Sequence, residues 1–320
     1  MPLISVCIPV FNGENYIKES IDSVLNQTEK RFELVIVDNC STDKTIEIVN
    51  GVNDKRIKLF SNVNNIGLFG NMNMCLKHAV GKYIVLLPHD DILFSSMLKV
   101  FSKKLETNSQ ASMVYSSYFQ INSQSEKIKL FETQSADRLM TAEEAFNLFI
   151  QTSPIQCCMV RNSIFSEVGL FDKDLTLTGD IHMWCRIALK GYDIIYINSP
   201  HNSVRIHKEQ TTRFIYEKGE YGKNLFECYR KIFELPSPNF ETFDLRIKAV
   251  KWPIMVQIVY IFKTLVKGDI KMLIFHTNVL ILIINWAGIT KTIPTIISIF
   301  FELMMILPSK FLKILKASTH

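Results

Sequence analysis

Short apolar runs closed by polar turns recur through the first third of the chain. Residues 4–9, 34–37 and 83–87 each read as a strand buried on both faces, and residues 57–60 as a shorter one. Between them apolar positions return at helical spacing. Ile17, Ile21, Val24 and Leu25 share one face after the Phe11-Asn12-Gly13 turn. Ser41 or Thr42 caps a second helix through Val49, and a third follows the Asn/Gly-rich stretch 62–70 to about Val80. Strand–helix alternation with short links predicts an α/β fold with a mostly parallel, doubly wound sheet.

Beyond Ser95 the pattern loosens. A helix is expected over 95–105, a strand over 113–119, and nothing definite over 120–137. Thr141 and Glu144 have the capping-box spacing ahead of Ala145, Phe146 and Phe149. A short helix over 162–168 stops at Gly169. Thr178-Gly179-Asp180 opens another, with Trp184, Ile187 and Ala188 apolar at helical spacing and Gly191 as its stop. Residues 194–197 and 204–207 read as two short strands.

From Trp252 the character changes. Residues 272–290 and 293–307 are strongly apolar, but polar residues and Pro294 interrupt them, so neither is a clean membrane span. Lys310, Lys313 and Lys316 alternate with Phe311, Leu312, Ile314 and Leu315, a basic amphipathic pattern suited to an anionic membrane surface.

The net charge of the 320-residue chain is +5, yet residues 251–320 alone carry +6. The rest is nearly neutral, which argues against nucleic acid as a partner. Seven cysteines include no C-x-x-C pair, so zinc and a disulfide framework are both disfavoured and reduced thiols in the cytoplasm are expected. No charged start precedes an apolar leader core, so secretion is not expected. No P-loop and no G-x-G-x-x-G occurs.

Chemistry gathers where strands end. Pro88 closes the strand at 83–87, and Asp90 and Asp91 follow at once. Asp38 follows another buried strand, so all three acids belong at one sheet edge, where open α/β sheets bind ligands. Adjacent carboxylates repel unless a cation joins them, and hard oxygen ligands suit Mg²⁺ or Mn²⁺. A solvated Asp-Asp turn is the plain alternative. Asp180 reads equally as a helix cap, and His207 as a surface residue.

Taken in order, these pieces resemble the family 2 glycosyltransferases, inverting sugar transferases of the GT-A fold. The resemblance covers about residues 5–212. It is carried by Ser5-Val6-Cys7-Ile8-Pro9-Val10-Phe11-Asn12, by Asp38-Asn39-Cys40-Ser41-Thr42-Asp43, by Asn65-Ile66-Gly67 with Asn73, and by Gly81-Lys82-Tyr83-Ile84. It continues in Pro88-His89-Asp90-Asp91 at the family's DxD region, in Gly179-Asp180 with Trp184 and Arg186, and in Arg205-Ile206-His207 with Thr211-Thr212. The chain departs from the family where Pro88 replaces the first Asp, Gly179 replaces a Glu, and Asn71-Met72 stands where an Arg is usual.

The resemblance implies a GT-A domain over 1–215, with a nucleotide-sugar half at 1–120 and an acceptor half at 121–215, and a C-terminal helical region over 216–320. Pro9, Phe11, Asn12, Asp38, Asn39, Ser41, Asn65, Gly67, Asn73, His89, Asp90 and Arg205 would bind the donor. Asp90, Asp91 and His207 would hold Mn²⁺ or Mg²⁺, with one of the two acids turned instead to the ribose or local backbone, since neighbours in an extended segment point opposite ways. Asp180 would be the general base. The donor would be a nucleotide-sugar, with UDP the leading nucleotide. The acceptor would be a glycan or lipid-linked glycan in surface polysaccharide assembly, met at the cytoplasmic leaflet of the cell membrane through the C-terminal helices. The alternatives are a non-catalytic scaffold of this fold and a nucleotidyltransferase; the latter lacks a Gly-rich basic segment after the first strand.

Overall fold

The computed structural model describes residues 2–150, 157–208, 210, 220–235, 249–250, 253–254, 256–261, 264 and 269–287. The chain forms two compact units, Met1–Thr211 and Thr212–His320.

The first unit opens with β1 (Ile4–Val10), α1 (Ile17–Leu25), β2 (Phe32–Asp38), α2 (Thr45–Asn50), β3 (Ile57–Ser61), α3 (Leu68–His78) and β4 (Tyr83–Leu86). These strands are mutually parallel, with β1 between β2 and β4 and with β3 outside β2. Alternate residues of β1 face opposite ways. Ile4, Val6, Ile8 and Val10 join Ile17, Ile21 and Val24 of α1 in one apolar core. Cys7 faces the other side, where its thiol meets the Cys75 carbonyl of α3. Every residue of β1, β2 and β4 is buried, which is why those runs read as continuous rather than alternating.

The chain continues through β5 (Ile92–Leu93), α4 (Met97–Thr107), β6 (Ala111–Ile121), β7 (Lys127–Phe131), β8 (Arg138–Met140), α5 (Ala142–Phe149), β9 (Cys158–Arg161), α6 (Ile164–Val168), α7 (Gly179–Leu189) and β10 (Asp193–Arg205). The ten-stranded sheet runs β3-β2-β1-β4-β9-β6-β10-β5, with β7 on β6 and β8 on β10. From β9 onward it is mixed: β9 is antiparallel to β4 and β6, and β5 is antiparallel to β10. The capping box at Thr141 and Glu144 forms as its spacing predicts.

Two expectations change here. The expected strands at 194–197 and 204–207 are one strand, β10, which follows β6 through a register shift between Ile197 and Asn202. The polar stretch 120–137 contains β7, whose residues are almost all exposed and so lack the apolar signal of a buried strand.

In the second unit, helices span Tyr221–Glu234 and Ile270–Trp286. Phe226, Val250, Ile254, Val279 and Ile283 pack into a core of their own. Among the described residues, no helix is long and apolar enough to cross a membrane. The expected apolar run 293–307 and the basic pattern at 310–316 lie outside the described residues, as do Thr211 and Thr212.

Candidate active site

Parallel strands end together. Val10 of β1 is level with Asp38 of β2, and Asp38 with Ser61 of β3. The loops leaving this edge form the site, and hydrogen bonds join them. The Asn12 N–H donates to Ser41 Oγ (2.8 Å), and the Thr42 N–H donates to Asn12 Oδ1 (2.9 Å). Asn12 and Cys40 both take left-handed backbone angles, with φ of 51° and 67°. Such conformations are uncommon outside glycine and are held here by the interlock. Phe11 is 43% exposed beside it, whereas Pro9 is buried within β1.

Asp38 is almost wholly buried. One oxygen, Oδ2, accepts the Ser41 N–H at 3.1 Å. The other, Oδ1, is sealed from solvent and accepts nothing. An unsatisfied buried carboxylate oxygen is costly and calls for an explanation, such as an ordered water, an ion or a functional role. The Asn39 side chain, expected to touch the donor, is instead consumed internally. It accepts from Asn62 Nδ2 and the Ile66 N–H (both 3.0 Å) and donates to Asn65 Oδ1 (2.8 Å). Asn65 in turn accepts the Gly67 N–H at 2.9 Å, where φ is +79°. This pair folds the third loop against the edge.

Asn71, where an Arg is usual in the resembled family, donates to the carbonyl of Val37 (2.9 Å) and accepts from Asn62 (2.9 Å). Asn73 is a further correction. Both ends of its carboxamide bind the backbone of Phe171, each at 2.9 Å, so it clamps a loop rather than a ligand.

At the end of β4 the chain turns through His89, Asp90 and Asp91. The Ser20 hydroxyl of α1 lies 2.7 Å from the His89 carbonyl and 2.6 Å from that of Asp91, fixing the turn. The His89 ring sits against Gly13. A Cβ there would come within 2.7 Å of the ring and 2.6 Å of Val10, so this glycine is required by close approach. Burial lowers the His89 pKa.

The two acids separate in role. Asp91 is 2% exposed, and its Oδ1 accepts the backbone N–H of Arg205 at 2.9 Å. Burial, with the neighbouring Asp90 charge, pushes its pKa well up. Asp90 Oδ2 meets His207 Nε2 at 2.9 Å. Burial works against the Asp90 charge, but the His207 hydrogen bond and the charges of His89 and His207 outweigh it, and its pKa falls. Asp91, expected as a metal ligand, is therefore turned into the protein, while Asp90 and His207 face each other across this bond. His207 Nδ1 is buried and unpartnered. Among the described residues, no cluster of three or more ligating side chains exists.

Arg205 was expected at the donor and is fully buried instead. Its guanidinium donates to the Asp90 carbonyl (2.9 Å), to Ser125 Oγ (2.9 Å) and to Glu19 Oε2 (2.8 Å).

Asp180 begins α7, its Oδ1 accepting the Ile181 N–H at 2.8 Å. The adjacent Gly179 packs on Phe69, two residues past Gly67, closely enough that a Cβ would lie 2.7 Å from the ring. The Asp180 charge also reaches Cys158, whose register partner is Leu86, the last residue of β4. Asp180 is thus near the Cys158 end of β9, beside the Gly179–Phe69 contact. Phe171 stacks on Phe69 (5.6 Å between centroids) and meets Trp184 edge-on (6.0 Å), bracing α7 there. A cavity of about 510 Å³, lined by Pro2, Lys82, Arg161 and Asn162, lies away from this edge, at the opposite strand ends.

The structure is similar to that of S. aureus TarS residues 1–349 in complex with UDP, with a TM-score of 0.62 over 78% of this chain and 70% of that one, at 18% identity. The complex of the same protein with UDP-GlcNAc aligns over 85% of this chain and 89% of that one, with a TM-score of 0.59 and 17% identity. At such identity the likeness speaks for the fold. An uncharacterized glycosyltransferase of Rickettsia prowazekii is 30% identical over 237 residues, 72% of each chain. One of Methanocaldococcus jannaschii is 32% identical over 200 residues, 61% of this chain and 68% of its own. The match to a Rickettsia conorii relative, 36% identical, spans only 30% of that protein's length. The sequence profile described as Glycosyl transferase family 2 matches residues 5–169, a little over half of the chain. The chain belongs to glycosyl transferase family 2.

Proposed function

We propose that the chain moves a sugar from a UDP-sugar to a hydroxyl of a glycan or lipid-linked acceptor, with inversion at the anomeric carbon. The observation that carries the nucleotide assignment is the buried Asp38 Oδ1, which accepts no hydrogen bond, at the strand edge that Phe11 follows, since Val10 is level with Asp38. A carboxylate accepts and cannot donate, which suits the imide N–H of uracil. S. aureus TarS, similar in fold, is known in complex with UDP and with UDP-GlcNAc, which supports the same reading.

Asp90 and His207 fit a cation that completes its shell with diphosphate oxygens and water, the usual arrangement for Mg²⁺ and Mn²⁺ at phosphate sites. When bound, such an ion offsets the charge on the departing diphosphate. The chain's own residues do the rest. Asp38, the Asn12–Ser41 interlock and the third loop orient the nucleotide. Asp180 takes the proton from the acceptor hydroxyl as its oxygen bonds to the anomeric carbon. The bond from that carbon to the phosphate oxygen breaks, and its electron pair leaves with the nucleoside diphosphate. One in-line displacement inverts configuration and needs no covalent enzyme intermediate.

Surface polysaccharide assembly at the inner face of the cell membrane is the setting we infer. Its support is the basic C-terminal composition and the exposed Ile270, Ile274 and Ile281 along one helix. A calorimetric screen of UDP-, GDP- and dTDP-sugars with Mn²⁺ tests the donor: selective uptake of a UDP-sugar is expected, and equal or no uptake of all three rejects it.

A further inference from the structure

A fully buried guanidinium needs a counter-charge and a complete set of acceptors. Arg205 has both, drawn from segments far apart in sequence. Glu19 of α1 supplies the charge at 2.8 Å, and the β6–β7 turn supplies Ser125 Oγ at 2.9 Å and the Asn122 carbonyl at 3.2 Å. Nε holds the carbonyl of Asp90 at 2.9 Å, so each of the three guanidinium nitrogens has an acceptor. Ser125 also donates to Glu19 at 2.7 Å, closing a ring of contacts between the turn and α1. Tyr16 lies one turn of helix before Glu19. Its ring centroid is 4.6 Å from Arg205 Cζ, within cation–π range, and 4.8 Å from the His207 imidazole. Glu19 meets Arg205, and Tyr16 meets both Arg205 and His207. Both touch what sets the position of Asp90 and His207.

We propose that Glu19 and Tyr16 are positioning residues for sugar transfer. Through Arg205 they fix the Asp90 backbone and the His207 ring in the arrangement that receives the donor diphosphate. The proposal rests on the assignment of Asp90 and His207 to that end of the donor. It is more than packing because the groups fixed are a main-chain atom of one cation-binding candidate and the imidazole of the other. It also links the β6–β7 turn, in the acceptor half of the chain, to the nucleotide side.

The test uses the full chain with ¹³C-labelled histidine. The His207 resonances are assigned by their loss in His207→Gln, and UDP affinity in Mn²⁺ is measured by calorimetry alongside. Glu19→Ala, which does not touch His207, is expected to move the His207 resonances without any nucleotide present and to weaken UDP binding at least tenfold. Tyr16→Leu should do the same, and Tyr16→Phe, which keeps the ring, should restore both. Glu19→Gln keeps an acceptor without the charge, should give a smaller effect, and serves where the alanine variant does not fold. If either the resonances or the affinity stays at its wild-type value in Glu19→Ala while the melting temperature falls, the role is structural and the proposal fails. If the wild-type chain takes up no UDP, it is the donor assignment that fails. The resonances then decide alone: movement in Glu19→Ala upholds the coupling, and none overturns it.

Discussion

His207 Nε2 lies 2.9 Å from Asp90 Oδ2, although 117 positions separate the two residues in the chain. Among the described residues they belong to no cluster of three or more ligating side chains, so the pair is expected to bind a divalent ion weakly until a diphosphate joins it. EDTA should abolish transfer and Mn²⁺ or Mg²⁺ should restore it. Asp90→Asn and His207→Ala should each cut Mn²⁺-dependent UDP affinity by about 10–100-fold. Full activity in chelator would remove the cation from the scheme.

Asp38→Asn replaces one carboxylate oxygen with an NH₂ group at nearly constant shape. Whichever way the amide turns, either the Ser41 N–H or the open position loses its acceptor. The expected loss is about 1–3 kcal/mol of UDP binding, roughly 5–150-fold in Kd. Calorimetry with UDP reads it directly, and an unchanged Kd would place the base elsewhere.

Asp180→Asn should fold, bind donor as the parent does, and lose turnover by about 10²–10⁴. Steady-state kinetics paired with a donor-binding isotherm separates this from a binding defect. Equal turnover would take Asp180 out of the reaction.

Glu33 is buried at the opposite strand ends, where it accepts from Ser5 Oγ (2.5 Å), Lys58 Nζ (2.6 Å) and the Val80 N–H (2.9 Å). Burial opposes its charge, but these three donors outweigh it and hold its pKa below the ordinary 4.5. A lowered folded-state pKa contributes stability above the unfolded value, and that stability is lost as acid protonates the folded form. Glu33→Ala should therefore cost about 1–3 kcal/mol at neutral pH, because Ser5 and Val80 lose a buried partner while half-exposed Lys58 returns to water. The deficit relative to wild type should shrink as pH falls below about 4.5. A deficit independent of pH would assign the loss to packing alone.

Truncation before Trp252 should shift the protein from the membrane to the soluble fraction after lysis. Identical partitioning of the two forms would end the anchoring proposal.

The parallel half was legible because β1, β2 and β4 are buried on both faces and leave an unbroken apolar run. The later strands were not, for two physical reasons. β7 carries Lys127, Ile128, Lys129 and Leu130 at the surface, so nothing in its pattern marks one face as core. β10 passes through Asn198, Ser199 and Pro200, which read as a break, yet the chain absorbs them as a register shift and resumes pairing at Asn202. The site's acids could be found from strand ends. What could not be found is which way a side chain faces. Arg205, Asn39 and Asn73 are the polar residues a ligand would want, and each is turned inward to hold a loop. Glu19 and Ser20 belong to no motif, and their partners lie more than 65 positions away.

Asp180 reaches the nucleotide side through a ring rather than through the strand ladder: Gly179 rests on Phe69, and Phe69 begins the helix that the third loop feeds. The contact is close, and Phe171 packs against both Phe69 and Trp184 to hold it. The seat of Asp180 therefore depends on residue 179 staying without a side chain, since any Cβ there would push α7 off the ring.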